Sequence, residues 1–224
     1  MDAKSRRRIE MGKRALEFSR AHPNPSPGYT ATVTRLEERL ARAERLVVQQ
    51  REGTLQVRAA TARKREIKRA LTRGHLLHLA TAARIAAEEE PDIVGKFQLS
   101  RAGRTYLGFV TVARGMAAEA ESRKELLVRH GLVDVVLEGL VQALDQFDAA
   151  VASGSAGRQA HVSASAELDA VADEVVRIVD VMDGLNRVRF AGTPEELAAW
   201  SSASNLLVGP VRLGKQAAEE RPAA

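Results

Sequence analysis

The sequence predicts an all-α fold, an elongated antiparallel helical bundle, and three observations lead there. Ala, Arg, Glu and Leu dominate the 224 residues, and these are strong helix formers. Apolar residues recur three and four apart through most of the chain, the spacing of one helical face. Long stretches also lack proline altogether, most notably Thr30 to Glu89. With 45% hydrophobic but only 4% aromatic residues, the core has to be built mainly from Ala, Leu and Val.

The elements follow in order. Residues 4–20 form a short basic helix with Ile9, Leu16 and Phe18 as its few apolar points. It stops at His22-Pro23-Asn24-Pro25-Ser26-Pro27-Gly28, where three alternating prolines disfavour helix. Residues 1–29 therefore read as a basic arm and a Pro-rich linker, ahead of a bundle over 30–208. One very long helix is expected over about 30–89, some 90 Å at about 1.5 Å per residue. Val33, Leu36, Leu40, Ala43 and Val47 open its stripe, which thins and then returns at Ile67, Leu71, Leu77 and Ile85. Gly53 and Gly74 are its weak points, and Pro91 ends it.

A further helix is expected over 104–130, with Tyr106, Phe109, Ala113, Met116, Ala120 and Leu127 on one side and Gly131 as terminator. Residues 132–190 read as a coiled-coil-like helical hairpin. Val133, Leu137, Leu140, Leu144, Phe147 and Val151 form one seam. Leu168, Val171, Val175, Ile178, Met182 and Leu185 form the other, with Ser153-Gly154-Ser155-Ala156-Gly157 as the turn between them. Thr193-Pro194-Glu195-Glu196 predicts a capped last helix carrying Leu197, Trp200 and Leu207. Residues 209–224 read as a flexible tail.

The chemistry suggested by motifs is sparse. With no cysteine there are no disulfides and no thiolate chemistry. No Gly-x-Ser-x-Gly elbow and no phosphate-cradling glycine pattern occurs. His75 and His78 share a helical face, but neither has the acidic residue three positions earlier that a di-iron helix supplies. They read as polar tips rather than metal ligands. His130 and His161, on the hairpin reading, lie too far apart to pair. No catalytic residue, cofactor site or metal site is expected, and the chain reads as non-enzymatic.

Charge is the stronger signal. Residues 1–90 hold 20 Lys+Arg against 11 Asp+Glu, a balance of +9, whereas residues 91–224 hold 14 against 18, a balance of −4. A basic strip, Arg58, Arg63, Lys64, Arg65, Lys68, Arg69 and Arg73, contains one acid, Glu66. The segment 132–185 holds ten acids and two bases, and Asp169, Asp173, Asp180 and Asp183 lie opposite its seam. The leading expectation is a self-associating helical scaffold or interaction protein whose basic helix complements this acidic face. The alternative is a charge-driven, sequence-nonspecific nucleic-acid binder. It lacks a base-stacking platform, because no Phe, Tyr or Trp lies between Tyr29 and Phe97. Membrane attachment through residues 4–20 ranks last, since their apolar face is thin. No small-molecule ligand is evident. The start MDAKSRRRIEMGKRAL has no apolar run of the secretory kind, and no stretch approaches a membrane span, so a cytoplasmic protein is expected.

Overall fold

A computed structural model describes residues 1–99 and 105–206 of the chain. Its helices are α1 (Ala3–Ala21), α2 (Pro27–Arg73), α3 (His75–Ala86), α4 (Ile93–Lys96), α5 (Tyr106–Ser122), α6 (Lys124–Arg129), α7 (Asp134–Arg189) and α8 (Pro194–Ala203), with no strand among the described residues. The all-α class is therefore as expected. No helix among the described residues is long and apolar enough to cross a membrane. The expected tail 209–224, and Leu207 in the last helix, lie outside the described residues. The chain divides into two compact units, Met1–Glu52 with Ala160–Ala224, and Gly53–Gln159.

In the first unit, α1 is not an arm. Its Ile9, Met11, Ala15, Leu16 and Phe18 are buried in one cluster with Leu36, Leu40 and Leu46 of α2 and Leu168, Val171, Val175 and Met182 of α7. Burying each large side chain stabilises by about 1.5–3 kcal/mol, which a few well-placed apolar residues accumulate despite the basic surroundings. The helix starts at Asp2, whose carboxylate accepts from the Ser5 amide at 2.7 Å. The Pro-rich break is short, and α2 begins at Pro27 itself, where proline's fixed φ suits a first helical position. Arg189 holds the break by donating to the carbonyls of His22 and Pro23 at 2.9 and 3.0 Å.

Buried polar groups inside this unit form a directed chain. The Asn186 amide donates to the Tyr29 hydroxyl at 3.4 Å, Tyr29 shares a 2.9 Å bond with Ser19, and Ser19 donates to the Ala15 carbonyl at 2.8 Å. Trp200 of α8 is 0% exposed, and its ring nitrogen donates to Asp183 at 2.8 Å. Its ring lies 5.3 Å from that of Phe18, which also stacks on His22. The expected capping box does not form: the Thr193 hydroxyl faces the Phe190 carbonyl instead of a helix amide.

The second unit is built around Ile67, Leu71, Leu76, Leu79, Ile93, Phe97, Phe109, Met116, Leu127, Leu137, Leu140, Leu144 and Phe147. The long helix expected to reach Glu89 is broken at Gly74 and continuous through Gly53. Gly74 adopts φ −107, ψ −95, and a Cβ there would sit 2.9 Å from the Ala70 carbonyl oxygen, so other residues resist this geometry. The helix expected over 104–130 is also divided, by Arg123, which bonds Glu90 at 3.1 Å and also Glu119. Gly131 does terminate it. At φ 94 it lets the Leu132 amide reach the Leu127 carbonyl at 2.8 Å and its own amide reach Val128 at 3.1 Å.

The largest departure concerns the hairpin. Residues 132–190 do not fold back at Ser153–Gly157; α7 runs unbroken through them. The buried stripe continues across the small residues as Ala150, Gly157 and Ala164, seven apart, linking Phe147 to Leu168. Gly157 meets α2 so closely that a Cβ would lie 2.9 Å from the Gly53 carbonyl oxygen and about 3 Å from Gln56. Gly154 and Gly157 thus serve close helix packing, which outweighs their weak helix propensity. Val133, Val151 and Leu185, expected in the seams, are exposed.

Candidate functional site

The basic strip lies on the part of α2 that belongs to the second unit. With about 100° per residue, Ala60, Ile67 and Leu71 face the core, and Arg58, Arg65, Arg69 and Arg73 fall within an arc of roughly 80° on the opposite side. All four are exposed. Among the described residues none of the four has an ion pair. Between them the same arc carries Ala62, and at its two edges stand Glu66 and Thr72, the latter bonded to the Lys68 carbonyl of its own helix at 2.8 Å.

The other three members of the strip turn toward their own unit. Arg63 pairs with Glu66 at 2.9 Å and donates to the Gln146 side chain at 2.8 Å. The Lys64 ammonium lies 5.1 Å from the Tyr106 ring centroid, and that of Lys68 lies 4.8 Å from Phe109. The seven cations thus separate into a flanking set with partners inside the fold and an outward row of four arginines.

The acidic face behaves differently from the expectation. Asp169 accepts from the Ser5 hydroxyl at 2.6 Å, and Asp173 pairs with Arg8. Asp183 holds Trp200 and Arg187, while Asp180 is exposed without a partner among the described residues. Further along α7, Glu167 pairs with Arg42, Glu174 with Arg39, Asp148 with Arg114 and Asp134 with Lys124. Electrostatic complementarity between α7 and other helices is therefore present, but these bases supply it, not the strip. Sequence reasoning missed them because they are scattered singly along several helices.

The histidines resolve individually. His75 Nδ1 lies 2.9 Å from the Val136 carbonyl and His78 Nε2 lies 3.3 Å from that of Gly131, tying α3 to the entry of α7. His130 meets Glu89 at 2.9 Å, and His161 Nδ1 lies 3.2 Å from the Gln50 carbonyl. No group of three or more His, Cys, Asp or Glu side chains among the described residues is arranged to hold a metal ion. A cavity of about 410 Å³ at the Gly74 break is lined by Arg73, His75, Leu77, His78, Thr81 and Val136, placing the end of the arginine row at its rim. Comparison with protein-family models, with curated proteins and with solved structures finds no match to this chain.

Proposed function

We propose that this protein is a non-enzymatic helical interaction protein that holds a row of arginines out to an anionic partner. The observation carrying this reading is the division of charge on α2. Arg58, Arg65, Arg69 and Arg73 are exposed and lack ion pairs among the described residues, while most α7 carboxylates are engaged by other bases. Three of the four follow one another at i, i+4, where like charges repel by about 0.2–0.5 kcal/mol per pair, so an external anion relieves a cost built into the fold. The test is retention on an immobilised polyanion. Replacing the four arginines with alanine should bring elution to markedly lower salt, and replacing Arg39 and Arg42 should leave it unchanged. Equal elution of both variants refutes the reading.

Self-association is the second part of the proposal, supported by one exposed apolar row on α7. Val181, Leu185 and Val188 are 56%, 42% and 81% exposed and share one face of the helix. Light scattering at increasing concentration should show dimers that Val188→Asp abolishes; a strict monomer at high concentration eliminates this part.

A further inference from the structure

Resting on that reading, we infer that the anionic partner is the phosphodiester backbone of a nucleic acid, gripped without regard to base sequence by Arg58, Arg65, Arg69 and Arg73.

Four features select this chemistry among polyanions. The first is side-chain type: every unpaired cation on the row is arginine, whose planar fork engages phosphate oxygens in pairs. The second is geometry. From Arg58 to Arg73 the row is about 22 Å long, and its last three members stand one helical turn apart, about 6 Å, at about 1.5 Å per residue. Such a row meets a line of charges rather than a point anion.

Third, the row itself carries no apolar anchor between Arg58 and Arg73, the exposed Leu55 standing just before it. Only Ala62 lies among the arginines, with Thr72 and Glu66 at the margins and the Glu66 carboxylate held by Arg63. Protein interfaces centre on buried aromatic or aliphatic residues, and an interfacial helix needs an apolar face to enter a membrane. A phosphate backbone requires neither. Fourth, nothing on the row reads bases. The nearby rings, Tyr106 and Phe109, are covered by Lys64 and Lys68, so the stacking that marks single-strand binders has no platform. Phosphate contacts position a protein without specifying sequence, and this face offers phosphate contacts alone.

The experiment measures fluorescence anisotropy of a short labelled duplex DNA with the full chain over a salt series. Four phosphate contacts predict a slope of log K against log salt of about −3 to −4, the same for two unrelated sequences. Arg65→Ala with Arg69→Ala should reduce the slope by about two and weaken binding roughly tenfold or more at low salt. Arg65→Lys with Arg69→Lys should keep the slope, and the Arg39→Ala, Arg42→Ala control should match the wild type. Circular dichroism checks that each variant keeps its helix content.

Parallel arms use polyglutamate and phosphatidylserine vesicles. If the duplex does not bind, or binds equally well without Arg65 and Arg69, the nucleic-acid inference is overturned. Row-dependent binding to polyglutamate or vesicles then leaves the broader reading standing. If none of the three polyanions binds through the row, both fall together.

Discussion

Two basic helical segments of this chain dispose of their cations differently. Residues 3–21 and residues 58–73 both read as strips of Lys and Arg with few apolar points. In α1 those few points, Ile9, Met11, Leu16 and Phe18, drive the helix into a core, and four of its seven cations gain partners in the process, while Lys4, Arg6 and Arg7 stay exposed without ion pairs among the described residues. Arg8 meets Asp173, Lys13 meets Glu44 at 3.3 Å, Arg20 meets Glu37 at 2.9 Å, and Arg14 donates to the Asn205 carbonyl. The α2 segment also buries one face, through Ala60, Ile67 and Leu71, but four of its arginines point the other way and lack ion pairs among the described residues. Basic composition thus does not announce a binding face. What differs is where the cations without ion pairs lie: on α2 they form one row along a single face, and on α1 they cluster at the first turns.

The contrast can be broken most forcefully at Phe18. If α1 is a core helix, Phe18→Ala should cost about 3–5 kcal/mol in urea unfolding, whereas a free arm would lose almost nothing. The next effect sharpens the account of α7. Gly157→Ala forces a Cβ against the Gly53 carbonyl and should lose about 1–2 kcal/mol net, overpacking outweighing the gain in helix propensity. Gly184→Ala, at an open position of the same helix, should gain about 0.5–1 kcal/mol. Thermal melts of the two variants should therefore move in opposite directions.

Smaller shifts distinguish the two basic segments directly. Arg8→Ala should lose about 0.2–1 kcal/mol at low ionic strength as its pair with Asp173 disappears. Arg65→Ala with Arg69→Ala should instead gain a few tenths of a kcal/mol, because two like-charge i, i+4 contacts are removed. Opposite signs in chemical denaturation support the division; equal signs contradict it. The smallest effect is one of pH. The hydrogen bond from the Ser5 amide holds the Asp2 carboxyl below the usual aspartate range. A folded value below the unfolded one means the cap stabilises α1 above the unfolded value and loses that contribution as acid takes the pH down through the folded value. Asp2→Asn should remove this acid-side loss, read by circular dichroism between neutral and strongly acidic pH.

Much of the fold was legible in the sequence because helix periodicity is a local property. Leu36, Leu40, Ala43, Ile67 and Leu71 of the expected stripe are buried, although Val47, Leu77 and Ile85 are exposed; the stop at Gly131 and the burial of Trp200 also follow from spacing and residue type. Ser153–Gly157 misled because the same small residues that make turns also let helices approach, and only the partner backbone at Gly53 tells the two apart. The sevenfold spacing of Ala150, Gly157 and Ala164 carried the signal, hidden because small residues contribute little apolar contrast. Of the candidate site, the cations were legible and their division was not. Whether Lys68 faces a ring or Arg69 faces outward depends on α5, a helix 40 residues away in the chain.

Trp200 has an optical consequence. It is the sole indole in the sequence, is fully enclosed, and belongs to the unit of residues 1–52 and 160–224. Emission excited selectively at the indole, past the absorption of Tyr106 in the other unit, therefore watches that unit alone, while far-ultraviolet ellipticity averages every helix. Recording both during one denaturation separates the melting of the two units without any dye or added label.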